Sequence, residues 1–225
     1  MKLGIVTPTR GDRPQFMEHR NWLMRQQTRQ ADADAVVDYP PEPCGKRDLV
    51  PRYKLGFQAL FDEGCDLILC IEDDDWYAPN YLERMVGAWV RKGRPDMIGC
   101  VEHCYYHLLN RRYFIRDTRG ISPMMMTGVT PRVLEYRWPA ETHIALDCDL
   151  WRQNPTKERM RFKELPAVGI KHGIGVCAGI GHRHPNTSMN IKDDDYSWLR
   201  STVDENSFEF YMGIAGELSK AKKER

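Results

Sequence analysis

Leu67 to Ile71 is an unbroken apolar run that passes directly into four successive carboxylates, Glu72, Asp73, Asp74 and Asp75. An apolar run this short and without alternation is a strand covered on both faces, as in a parallel sheet held between layers of helix. Four acids at the end of such a strand repel one another, so the fold must offset them with a cation or with the positive pole of a nearby helix. The second solution would make the acids a solvated helix start before Pro79. The first makes them a binding site.

The surrounding pattern supports a sheet of this kind. Leu3 to Thr7 and Ala35 to Tyr39 read as two further buried strands, closed by Pro8 with Gly11-Asp12 and by Pro40-Pro41. Between them Phe16, Trp22, Leu23 and Met24 recur at helical spacing. Val50 to Gly64 puts Tyr53, Phe57, Leu60 and Phe61 on one helical face, with Gly64 as the stop. Pro79 opens a third helix with Leu82, Met85, Val86, Trp89 and Val90 inward, and Met97 to Val101 is the next strand. The alternation predicts an α/β fold with a mostly parallel central sheet flanked by helices, whose ligands sit beyond the carboxyl ends of the strands. The acids at 72 to 75 fall at such an end.

At 225 residues one sizeable domain is expected, over 1–215, followed by a charged tail at 216–225. Lys plus Arg number 33 against 32 Asp plus Glu, so no global field argues for nucleic acid or an acidic membrane. Seven cysteines without a CxxC pair suit reduced thiols in a cytosol, and no run is long and apolar enough for a signal peptide or a spanning helix. These features predict a cytoplasmic protein with no membrane segment.

Mg²⁺ or Mn²⁺ takes one or two protein carboxylates and fills its other positions with phosphate oxygens and water, so a diphosphate ligand would complete the acidic site. At this point the sequence shows a resemblance. ILCIEDDDWYAPNYLERM resembles the acidic "DxD" segment of the inverting, family-2-like glycosyltransferases of the GT-A (Rossmann-like) fold. The resemblance implies Glu72 and Asp74 as the motif positions, with Asp74 as metal ligand and Asp73 as the ribose contact, although Asp75 leaves the register open by one. Upstream, IVTPTRGDRP is similar to the first strand and loop that lie against the nucleotide, and VVDYP places Asp38 like the acid that recognises uracil. Thr7, Thr9, Arg10 and Asp38 would line the base pocket, with Lys46, Arg47 and Lys54 in the stretch that often carries a cation facing the base or phosphate.

Downstream, Ala145 to Trp151 resembles the catalytic-base segment of the same family, with Leu146 in place of its usual Glu. Asp147 is the first candidate base and Asp149 the second; the structural alternative for either is a helix N-cap. Ile170-Lys171-His172-Gly173 and the glycine-rich stretch ending at Gly181-His182 resemble the segment that completes the metal and diphosphate site. His172 is the preferred metal ligand there and His182 the runner-up. Cys100, His103, Cys104 and His107 have spacing unlike that of zinc fingers, and Asp193-Asp194-Asp195 reads as an exposed helix start.

The function implied is transfer of a sugar from a nucleotide-diphosphate donor, a UDP-sugar favoured, to an acceptor hydroxyl with inversion. Arg111, Arg112, Arg116 and Arg119, interleaved with Tyr105, Tyr106, Tyr113 and Phe114, would suit DNA carrying a hydroxylated base. A saccharide would use the same aromatics, with Trp138 and Trp151. The alternatives are a nucleotidyltransferase, although Thr7 to Gly11 lacks the glycine-rich pyrophosphate loop, and a non-catalytic nucleotide- or metal-binding module.

Overall fold

The computed structural model describes residues 1–38, 48–117, 120–140, 145–153, 156–173 and 191–223. The first half contains β1 (Leu3–Thr9), α1 (Pro14–Arg25), β2 (Ala33–Asp38), α2 (Leu49–Asp62), β3 (Leu67–Cys70), β4 (Trp76–Tyr77), α3 (Tyr81–Arg91) and β5 (Met97–Cys100). The second half contains β6 (Glu102–His107), β7 (Arg112–Asp117), β8 (Gly128–Val129), α4 (Leu146–Arg152), β9 (Lys157–Met160), β10 (Ala167–Lys171), β11 (Ile191–Lys192), α5 (Ser197–Thr202) and α6 (Glu205–Lys223).

A six-stranded sheet runs in the order β2-β1-β3-β8-β5-β9. All of its strands share one direction except β8, which lies antiparallel between β3 and β5. Period-two alternation explains why its central strands are apolar throughout. Leu3, Ile5, Leu67, Leu69 and Ile98 face a core shared with α1, α3 and α6, while Val6, Ile68, Cys70 and Met97 face a second core with α2 and α4. Gly56 lets α2 approach β1: a Cβ there would lie 2.4 Å from Val6 Cγ2. Gly64, at φ +83°, takes the left-handed conformation that ends α2.

Two expectations about the first sheet and its helices need correction. β2 is an edge strand with only Val37 buried, because nothing pairs with its outer side among the described residues. Val90 is exposed on α3, whose inward stripe is Tyr81, Leu82, Met85, Val86, Ala88 and Trp89. The basic and aromatic stretch from Tyr105 belongs to a β6–β7 hairpin inside a second, mixed sheet of order β11-β7-β6-β10-β4. The last helix, α6, continues through Lys223. Asp193 also departs from an exposed helix start. It is buried and accepts from the Tyr106 hydroxyl at 2.8 Å and from the Trp198 N–H at 2.9 Å, which ties α5 to the second sheet.

Candidate active site

The acids lie where the chain crosses from one sheet to the other. Beyond β3 the Ile71 N–H still donates to Val6 O at 2.9 Å, and the Glu72 N–H donates to the Tyr77 phenol oxygen at 2.8 Å. Two residues of β4 then join β10, pairing Trp76 with Val168 and Tyr77 with Ala167. Residues 72 to 75 therefore form a tight bend between two buried strands, which is why carboxylates end up at low exposure. Asp73 is 3% exposed and Asp75 0%.

The bend divides its acids between two sets of partners. On one side Arg13, at the start of α1, donates to Asp73 Oδ1 at 2.8 Å and to Asp74 Oδ2 at 3.0 Å. Thr9 donates its hydroxyl to the other oxygen of Asp73 at 2.7 Å. His172, just beyond β10 and fully buried, places Nε2 2.9 Å from Asp74 Oδ2 and 3.3 Å from Arg13 Nη1, with its ring 4.5 Å from that of Phe16. On the other side Asp75 Oδ1 accepts the Ile170 N–H at 2.7 Å, while Asp75 Oδ2 is buried with no hydrogen-bond partner. The Tyr53 hydroxyl, from α2, is also buried without a partner, and the charges of Glu72, Asp75 and Asp147 act on it. Lys171 lies 4.8 Å from the Tyr105 ring centroid and brings positive charge to Glu72, Asp74 and Asp75.

These environments separate the four carboxyls. Burial pushes Glu72 up to about 7, Lys171 opposing the shift and Asp74 and Asp73 adding to it. Burial and the charge of Asp74 raise Asp73 to about 6 against the pull of Arg13 and Thr9. Burial also opposes the charge on Asp74, but the hydrogen bond from His172 and the charge of Arg13 prevail and hold it well below the carboxylate range. Asp75 is pushed far up by burial and by Glu72.

Glu72, Asp74 and Asp75 each offer an oxygen within 4.8 Å of the others. Oxygen donors are what a hard divalent cation takes, and the orphaned oxygen of Asp75 has no other use in the fold. The residues present fit such an ion. The set differs from the one expected: Asp75 joins Glu72 and Asp74, whereas His172 contacts Asp74 from the Arg13 side. His182 lies outside the described residues, as do Lys46, Arg47 and Arg119.

Asp147 lies in the first turn of α4, where its Oδ1 accepts the Cys148 N–H at 2.8 Å. Burial raises its pKa, and its own charge acts on Glu72, Tyr53 and Tyr105. Asp149 lies two residues on, its charge acting on Asp147 and Cys148. Neither caps α4, whose N-cap is Ala145.

The base-pocket residues are more dispersed. The Thr7 hydroxyl is buried and accepts from Arg20 Nε at 3.0 Å. Arg10 pairs with Asp48 at 3.2 Å. Asp38 is exposed beside Thr9 in the register and lines a cavity of about 250 Å³ with Val36, Val37, Leu55 and Gly56. Lys54 is exposed on α2; the buried cation of that stretch is Arg52, which donates to Thr9 O and Val37 O and pairs with Asp48. Arg13 and Tyr53 were not singled out from sequence. One is an arginine among many, and the other reads as an ordinary core aromatic.

Tyr105, Tyr106 and Phe114 are buried, and Tyr113 stacks on Trp198 at 3.8 Å. Trp151 is buried as well, whereas Trp138 keeps part of its ring exposed beside Phe57. Cys104 points to the opposite face of β6 from His103 and His107, as strand alternation requires.

No protein-family model matches the sequence, and no curated protein matches it. Solved structures do match the fold. S. aureus TarS, residues 1–349 in complex with UDP-GlcNAc, superposes with a TM-score of 0.53 at 10% identity, over 76% of this chain and 59% of that one. The complex of the same protein with UDP gives 0.53 at 11% identity, over 76% and 60%. A197 from STIV gives 0.42 at 12% identity, over 72% and 82%. The chain thus spans about three-fifths of the TarS chains it matches. Among the described residues no helix is long and apolar enough to cross a membrane. With its mostly parallel sheet and its acidic bend at a strand end, the chain shares the GT-A-like fold of the TarS structures.

Proposed function

We propose that the protein is a metal-dependent glycosyltransferase that moves a sugar from a nucleotide-diphosphate donor, a UDP-sugar favoured, to an acceptor hydroxyl with inversion. The observation that supports this reading is the group of Glu72, Asp74 and Asp75, one oxygen of each within 4.8 Å of the others, in a fold shared with a protein solved with UDP-GlcNAc and with UDP. Mn²⁺ or Mg²⁺, held by Glu72, Asp74 and Asp75, would supply charge stabilisation to the leaving diphosphate.

The chain's own residues do the rest. Asp147 takes the proton of the acceptor hydroxyl as that oxygen attacks the anomeric carbon from the side opposite the diphosphate. Burial raises its proton affinity, which makes it a better base near neutral pH than an exposed Asp. Asp149 is the second candidate. The Tyr53 hydroxyl is free to donate to the donor or to ordered water beside the base. Thr9, Arg10 and Asp38 hold the nucleoside at the ends of β1 and β2, and Asp73 stands next to the ribose. The burial of Tyr105, Tyr106 and Phe114 takes them from either acceptor, a saccharide or a hydroxylated DNA base, and leaves the partly exposed Tyr113 and Trp138 to meet it.

Calorimetric titration with UDP and with GDP, each with and without Mn²⁺, tests the reading. UDP binding that needs Mn²⁺ and is lost in Asp74→Ala is the expected result. A folded protein that binds neither nucleotide would sink the reading, and binding without donor turnover would leave a nucleotide- or metal-binding module.

A further inference from the structure

Arg13 occupies one half of the acidic bend as a built-in cation. Its fork reaches Asp73 Oδ1 at 2.8 Å and Asp74 Oδ2 at 3.0 Å, its side chain is 15% exposed, and its Cζ lies 5.2 Å from the centroid of the Phe16 ring. The other half, Glu72 and Asp75, feels the charge of Lys171 but lies outside the reach of the Arg13 fork, and one oxygen of the fully buried Asp75 is left without any hydrogen bond. Asp74 belongs to both halves: it carries Arg13 and His172 on Oδ2 and also falls within the group that Glu72 and Asp75 form. A divalent cation in that group therefore shares a ligand with a guanidinium, and like charges at this range in a buried site repel.

The planar fork that now grips two carboxylates is equally matched to two phosphate oxygens. The backbone of Arg13 is fixed, since its carbonyl accepts the Phe16 N–H at 3.1 Å, so an exchange of partners needs the side chain alone. Resting on the nucleotide-diphosphate reading above, we propose that Arg13 is a positioning residue that couples cation binding to arrival of the donor. Without a diphosphate it holds Asp73 and Asp74 and weakens the grip of the bend on the cation. When the diphosphate enters, Arg13 turns to the phosphates and releases Asp74. Linkage makes the effect reciprocal, so the cation strengthens diphosphate binding by the same factor.

The test is Mn²⁺ binding, read by the electron paramagnetic resonance signal of the free ion, in the wild type and in Arg13→Gln, each with and without UDP. The wild type is expected to bind Mn²⁺ weakly alone and about tenfold or more tightly with UDP, within the usual range of coupling. Arg13→Gln is expected to bind Mn²⁺ alone about tenfold more tightly than the wild type and to lose most of the gain from UDP. Equal or weaker binding of Mn²⁺ alone by the variant overturns the proposal, as does a UDP gain of undiminished size. If Arg13→Gln fails to fold, Arg13→Lys keeps the charge without the fork, and an unchanged UDP gain in it is equally fatal. If UDP binds neither protein, the donor reading falls by itself; inorganic pyrophosphate then keeps the coupling measurable, and its failure to strengthen Mn²⁺ binding in the wild type overturns the proposal too.

Discussion

Replacing Asp75 with Asn removes a buried carboxyl group, whose charged form burial opposes, while keeping the shape of the side chain. Oδ1 accepts the Ile170 N–H at 2.7 Å, and an amide oxygen can do the same. Oδ2 is buried without a partner, and in the variant an NH₂ group stands there, facing the carboxylates of Glu72 and Asp74. A buried polar atom left unsatisfied costs about 1–3 kcal/mol, so the metal-free variant is expected to be more stable than the wild type by about that amount. In a chain of this size each kcal/mol moves Tm by roughly 2–4 °C. With Mn²⁺ the order reverses, because a ligand at 100 times its Kd stabilises the folded state by about 2.7 kcal/mol and the variant has lost one of its oxygen donors. Thermal unfolding in EDTA and in excess Mn²⁺ reads both effects. A variant less stable than the wild type in EDTA, with an equal Mn²⁺-induced rise in Tm, would refute the reasoning and show that Asp75 is satisfied without a cation.

Asp147→Asn is expected to lower the transfer rate by about 10²–10⁴-fold with UDP affinity retained, while Asp149→Asn stays within a few-fold of the wild type; steady-state kinetics with equal losses in both would remove Asp147 as the base. Gly169→Ala places a Cβ 2.4 Å from Tyr105 Cδ1, and the overpacking is expected to destabilise by about 1–3 kcal/mol; an unchanged urea midpoint would show that the Tyr105 ring gives way freely. Burial lowers the pKa of His19 and of His103 to about 4, although the unfolded chain takes up these protons near pH 6.5. Their contribution to stability is therefore complete above about pH 6.5 and declines as pH falls toward 4, by about 1 kcal/mol per ring between pH 7 and 5.5. Ring-proton NMR shifts that stay constant down to about pH 5 are the expected result, and titration of either ring near its unfolded value would contradict it.

Much of this architecture is legible in local pattern. The runs at 3–7 and 67–71 are apolar because both faces of β1 and β3 are covered, and the helical stripes at 50–64 and 79–90 match α2 and α3 to within a few residues. The second sheet is not legible. β6 buries polar and aromatic residues on both faces, β7 buries only Phe114, and β4 and β11 are two residues long, so no periodicity marks them. Val36 and Val90 are exposed for the converse reason: an edge position or a helix face is assigned by neighbours that the local sequence does not contain.

The sequence by itself determined that four carboxylates leave a buried strand, and mutual repulsion alone demands that something offset them. It also placed Asp147 in a helix start and His172 beyond a strand. Tertiary structure alone decided how the acids divide. The bend between the two sheets sends Asp73 and Asp74 toward Arg13, sixty residues upstream, and Asp75 toward Ile170. Charge and burial act through distance, and distances between residues far apart in the chain are set only when the two sheets close on one another.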